Sequence, residues 1–306
     1  MAERIKSFRS RDVEEIVMDI IKYIFVVVFT LLCIYPFYYV IIYSISDPNL
    51  ASQGVRLLPK GFSLETYKKL LERDDLGLAF FISIARTVVG TGLCVLFTSF
   101  LAFLVTRKEM LGRKFVYRFV IITMYIGAGL VPWYLTMKGY GLKDNFLVYV
   151  IPGAINAYYM ILIKTFIEQL PESLEEAAAI EGAGILNIFF RIIMPLSKPI
   201  IATVVVYCAV GQWNNWMDNF FLVHNSKLQT VQLILYNYLN SATAIAKNME
   251  TGGAAAAAAA MNASSAITPQ SVQMTSIVIT VIPIMLVYPF AQKYFTKGIM
   301  MGAVKG

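Results

Sequence analysis

Residues Glu168–Pro199 read EQLPESLEEAAAIEGAGILNIFFRIIMPLSKP, a stretch rich in glutamate and small residues set between two uncharged apolar runs, 145–163 and 199–217. Pro171 suits a first helical turn, Ser173 and Glu176 have capping-box spacing, and Glu172, Glu175 and Glu176 favour the positive end of a helix dipole. A helix is therefore predicted near 171–190. Ala177, Ala178, Ala179, Gly182, Ala183 and Gly184 are small enough for another backbone or a partner's surface to approach closely. The two glycines predict a bend before Ile185, and Pro195 an end. On these residues alone the stretch is either an interfacial amphipathic helix or a partner-binding one.

Outward from this stretch the chain is mostly apolar. Uncharged runs of at least 19 residues occupy 23–46, 87–106, 119–137, 145–163, 199–217, 228–246 and 251–292. About 20 apolar residues cross the hydrocarbon as a helix. The run 228–246 is interrupted by Gln232 and Asn237 and reads as a helix outside the bilayer. Six spans remain, near 20–45, 78–106, 116–138, 146–167, 198–222 and 272–295, so the predicted fold is all-α, a six-span polytopic membrane protein. The composition agrees: 15% of residues are charged, against about 25% in ordinary domains.

An even number of spans puts both termini on one side. Sixteen lysines and arginines lie on that side and nine on the other, which predicts a multi-pass protein of the cytoplasmic membrane with both termini inside. The expected organisation is a cytoplasmic segment 1–19, a transmembrane domain 20–295 with an exterior loop 223–272, and a cytoplasmic tail 296–306. The alanine run Ala254–Ala260 fits either an exposed loop or a cap over substrate or partner.

The chemistry on offer is narrow. A single histidine, His224, excludes His-based triads and HExxH zinc sites, so no catalytic residue and no metal site is expected. Cys33, Cys94 and Cys208 sit inside apolar runs and read as small buried hydrophobes. The net charge of +7 flanks the apolar runs, which suits anionic lipid rather than nucleic acid. Polar residues at membrane depth are functional candidates. Trp213, Asn214, Trp216 and Asp218 cluster in the predicted fifth span; on an unbroken helix the tryptophans would share one face and Asn214 and Asp218 the next. They fit a sugar path or an interfacial belt with packing amides equally. Tyr125, Trp133 and Tyr134 in the third span, and Asn156, Tyr158 and Tyr159 in the fourth, are weaker candidates. Arg86, in the second, is expected to snorkel outward, with Asp74 or Asp75 as the alternative partner.

Glu176-Ala177-Ala178, three residues, Gly182, nine residues, then Ile192-x-Met194-Pro195 resembles the EAA signature of membrane subunits of ATP-binding-cassette (ABC) importers, Met194 replacing its leucine. The likeness extends to Leu58–Ser63, Trp213-Asn214 and the ending from Tyr288 to Gly306. The chain is similar to the smaller permease of maltose-type carbohydrate importers, closest to Gram-positive oligosaccharide importers. The resemblance implies a type I ABC importer permease in which Glu176, Ala177, Ala178, Gly182 and Pro195 couple to an ATPase, while Trp213, Asn214, Trp216, Asp218, Tyr125 and Asn156 line the substrate pathway. It implies as partners a second homologous permease, an ABC ATPase dimer that binds ATP and Mg, and an extracellular solute-binding protein, with no cofactor in this chain and no nucleic acid. The rival reading is an ATP-independent secondary transporter or channel, whose intramembrane carboxylates and inverted repeats are not evident here.

Overall fold

In the computed structural model, residues 13–55, 57–72, 74–251 and 268–303 are described. The first twelve residues of the expected cytoplasmic segment, the Ala254–Ala260 run and residues 304–306 lie outside them. Thirteen helices are named in chain order: α1 (Val13–Ser44), α2 (Pro48–Ser52), α3 (Glu65–Leu71), α4 (Asp74–Thr106), α5 (Arg113–Tyr125), α6 (Leu130–Gly139), α7 (Ala157–Ile167), α8 (Ser173–Ile180), α9 (Ile185–Leu196), α10 (Lys198–Asn214), α11 (Met217–Leu222), α12 (Val231–Thr251) and α13 (Pro269–Ala303). The fold is α-helical; an isolated Ser46–Phe62 bridge is the sole β pairing among the described residues.

The chain divides into two units, 1–69 with 242–278 and 70–241 with 279–306. In the first, α1 is uncharged from Tyr23 onward, and from Ile16 to Phe37 its large apolar side chains are exposed, which is the surface a helix presents to hydrocarbon or to another apolar surface. Its C-terminal turn is anchored: Ile42 and Tyr43 pack with Ala51 and Val55. Asp47 caps α2 by accepting from the Asn49 and Leu50 amides.

The second unit is built around α4, which packs along α10 and α7. Its core joins Ala102 and Phe103 to Met160, Ile163, Ile188, Phe189 and Val204. Phe189 opens a π-helical turn, Phe189–Ile193, with its ring 5.1 Å from Phe100 and 5.6 Å from Phe103. Helices α9 and α10 meet at 84° across Ser197. Pro199 lies in the first turn of α10, where its missing N–H is no loss and its ring disfavours continuing the preceding helix.

Among the described residues, three helices are long and apolar enough to cross a membrane, Glu14–Ser44, Leu76–Thr106 and Pro269–Leu286, with a fourth if the bent α9–α10 pair counts as one span. The other expected spans are interrupted, and local chemistry explains each break. In 116–138 the helix stops at Tyr125 and restarts after Gly129, whose φ of +82° and ψ of 176° only glycine adopts readily. In 146–167 a 3₁₀ turn, Phe146–Tyr149, is followed by Pro152 and Gly153 before α7 begins. In 198–222 Asn215 is extended, its side chain accepting from the Met217 amide. That break removes the shared helix faces expected for Trp213 with Trp216 and for Asn214 with Asp218.

Candidate functional site

The three interruptions converge. A cavity of about 600 Å³ is lined by Gly129 and Trp133 from the first break, Pro152, Gly153 and Asn156 from the second, and Gly211, Gln212, Asn215, Met217 and Asp218 from the third, with Arg86 and Tyr149 on its wall. Irregular backbone at membrane depth is tolerated only where it is buried in protein or borders a polar cavity, because lipid cannot satisfy its amides and carbonyls.

Arg86 organises this wall. It is 1% exposed, so it does not snorkel, and the side chains of Asp74 and Asp75 lie outside the described ones. Its Nη1 and Nη2 donate to Oδ1 and Oδ2 of Asp218 at 3.0 and 2.5 Å. Nη1 also donates to the Asn215 carbonyl at 3.0 Å, and Nε to Gln212 Oε1 at 3.2 Å. The guanidinium carbon lies 4.6 Å from the centroid of the Tyr149 ring. Burial of a positive charge is thus offset by a bidentate carboxylate, two further acceptors and an aromatic face. The Asn215 carbonyl freed by the helix break is one of those acceptors. Asp218 is held further by the Asn215 side chain and the Asn219 amide. Gln212 fits against Gly90, where a Cβ would come within 2.7 Å of its Nε2.

The predicted pathway residues separate accordingly. Asp218, Asn156 and Trp133 line the cavity. Asn156 caps α7 through its side chain, and its amide donates to Thr98. Trp213 is buried, its indole N–H donating to the Thr280 carbonyl and its ring 6.3 Å from Phe80, so it packs the helix bundle. Trp216 stacks on Tyr236 at 4.3 Å, and Asn214 is exposed and accepts from Gln232. Neither lines the cavity. Tyr125 is 83% exposed at the end of α5 and also stands apart from it. No local signal in the sequence points to Gly90 or Tyr149; Arg86 stands out by its place beside an apolar run, but its partner lies 132 positions away.

A second cluster surrounds α8. The capping box is not formed: Ser173 lies inside the helix, and Glu172 carries the N-cap position without a side-chain cap. Glu172 instead pairs with Lys108 at 2.8 Å, and Glu175 pairs with Arg107. The hydrogen bond from Lys108, then its charge, holds the Glu172 carboxyl below its usual range and raises the Lys108 ammonium in turn. Helix α8 ends in a Schellman motif, with Gly182 N–H donating to the Ala179 carbonyl and Ala183 N–H to the Ala178 carbonyl. Gly182 has φ +81° and, among the described residues, no atom within 4 Å of its would-be Cβ, so there its glycine identity serves the turn rather than a close approach. Of the alanines, Ala178 is buried in the core, whereas Ala177 and Ala179 are exposed beside Leu174 and Ile180. Pro195 sits in the last helical turn before the 84° bend.

No protein-family profile matches the sequence. The chain is 34% identical over 289 residues to the polygalacturonan/rhamnogalacturonan transport system permease protein YtcP of Bacillus subtilis, covering 94% of this chain and 98% of that protein. It is also 34% identical over 292 residues to Protein LplC of the same organism, covering 95% of each. The melibiose/raffinose/stachyose import permease MelC of B. subtilis is 28% identical over 89% of this chain and 91% of its own. Among solved structures, a chain of a bacterial ABC transporter involved in the import of the acidic polysaccharide alginate matches with a TM-score of 0.79 and 27% identity, over 94% of this chain and 99% of the other. This helical chain, with its interrupted helical segments around one cavity and its EAA-type segment, belongs to the permease subunits of carbohydrate-importing ABC transporters and is not itself an enzyme.

Proposed function

We propose that the chain is one of a pair of homologous permeases through which an oligosaccharide bearing uronic acids enters the cell. The single observation that carries the site assignment is the meeting of three broken helical segments at one cavity, whose largely apolar wall carries Arg86, Asn156, Gln212, Asn215 and Asp218. Its Asn156, Gln212 and Asn215 amides suit sugar hydroxyls, and Trp133 suits an apolar sugar face. The acidic substrate class is supported by two relatives, whose names specify polygalacturonan/rhamnogalacturonan and alginate.

In this reading the chain spans the membrane six times with both termini cytoplasmic, the interrupted segments 116–138, 146–167 and 198–222 each counting as one crossing. Helix α8 seats in an ATPase dimer that binds ATP and Mg, presenting exposed Leu174, Ala177 and Ile180 to it. A solute-binding protein delivers the sugar from outside, against loops that include 46–77 and 223–272. The energy source is a partner, since no GxxxxGK[ST] segment occurs in the sequence.

The test is reconstitution of the chain in liposomes with its second permease, ATPase and binding protein. Uptake should require ATP and binding protein, and an oligogalacturonide should enter while a neutral oligosaccharide of the same length does not. Uptake by the chain alone, without ATP, would sink the reading; preference for the neutral sugar would sink the substrate assignment.

A further inference from the structure

Helix α8 is gripped from within its own chain, and the grip leads along a single helix to the cavity. Arg107, immediately after α4, pairs with Glu175 on α8, and both side chains are about four-fifths buried (19% and 20% exposed). Arg107 also lies within 3.4 Å of Glu109 and has its guanidinium carbon 5.7 Å from the centroid of the Phe103 ring, a fully buried core residue. Lys108 and Glu172 add a second tether, but both are exposed, so solvent screens it. The end of α4 is itself fixed, because Arg113 Nη1 donates to the Thr106 carbonyl at 3.2 Å. From there α4 runs back without interruption to Arg86, which holds the Asn215–Asp218 break at the cavity. The 21 positions between the two arginines span about 30 Å at the helical rise, the thickness of a bilayer core.

We infer that Arg107 and Glu175 are positioning residues that transmit movement of the ATPase-facing helix to α4, and that α4 is the rod joining that helix to the Arg86–Asp218 clamp on the sugar cavity. Ala178 is the one α8 side chain in the buried core cluster among the described residues, and it is too small to resist sideways displacement by itself. An ion pair on a stiff helix resists it and moves α4 with it. The inference rests on α8 being the ATPase-facing element.

The experiment uses the reconstituted complex with its ATPase and loaded binding protein. Arg107→Glu and Glu175→Arg should each retain bound ATPase while sugar uptake per ATP falls about 2- to 30-fold, the range over which residues along a coupling route act. The double swap Arg107→Glu/Glu175→Arg should restore most of it. If a charge reversal does not fold, Glu175→Gln carries the test, with the same fall expected. Wild-type coupling in the single variants, loss of the ATPase from them, or failure of the swap to recover uptake each overturns the inference. Ile180→Asp, on the opposite side of α8, separates the two readings. If it leaves the ATPase bound, the docking assignment of α8 fails; if it releases the ATPase while the Arg107 and Glu175 variants couple normally, only the transmission route fails.

Discussion

At the residue scale, Gly182 and Asp144 show why a side chain's identity is explained by backbone geometry as often as by contacts. Gly182 is left-handed in open space, so the cost of replacing it is conformational. Gly182→Ala should weaken the end of α8 by about 1–2 kcal/mol, whereas Gly182→Asn, which enters the left-handed region more readily, should cost less. Sugar uptake by the two variants should rank in that order; equal losses would mean that a partner's surface, not the turn, demands glycine. Asp144 also has a positive φ, of 54°, and its Oδ1 accepts from the backbone N–H of His224 and of Asn225. The His224 bond, then the Asn225 bond, holds its carboxyl below the ordinary range. A lowered folded value means that the clasp is fully made above the unfolded pKa of about 3.9 and is lost as pH falls through the lower folded one. A spin label on Ser226→Cys should therefore be immobile near neutrality and loosen only in strong acid, and in Asp144→Ala it should be mobile throughout. A label indifferent to both changes would contradict the clasp.

At the scale of elements, the Arg86–Asp218 pair couples a continuous helix to a broken one. In the sequence Asp218 is one of the residues expected along the substrate pathway. With its carboxylate taken up by Arg86, Asn215 and the Asn219 amide, it is first a structural counter-charge. Removing one partner of a buried pair leaves the other charge uncompensated, at about 3–5 kcal/mol. Asp218→Leu should therefore lower the thermal midpoint of the detergent-purified complex strongly. The double change Arg86→Met/Asp218→Leu should recover much of that stability without recovering uptake, because the cavity wall would lose its polar clamp. Equal midpoints for Asp218→Leu and wild type would show that the pair contributes nothing to holding the break. The helix face expected to be shared by Trp213 and Trp216 is absent for a related reason. It presumed one helix from 198 to 222, and a single extended residue, Asn215, turns the segment after it in a new direction.

At the scale of the whole molecule, the expected arrangement places Met1, the 107–118 loop, α8 and Gly306 in the cytoplasm and 46–77 and 223–272 outside. Single cysteines at Lys114 and at Lys60, probed with an impermeant reagent on intact cells, should be protected and labelled respectively; the reverse pattern would invert the topology. The apolar runs, the helix around Glu176 and the bend before Ile185 were legible in the chain itself, because hydropathy, helical periodicity and a glycine's freedom depend on residues within a few positions of one another; that the helix stops at Ile180 was not. Also legible was the resemblance that led to the family, since a motif with spacing is a local property. The partners of Arg86 and Arg107 lie 132 and 68 positions away, and no local rule chooses among the carboxylates within reach. The segments through Gly129, Pro152 and Asn215 were expected as unbroken spans, because the length of an apolar run says nothing of one residue's backbone conformation. That all three breaks are real and face one cavity was decided by the packing of α10 and α7 on α4, which buries their freed polar groups together where lipid could not satisfy them.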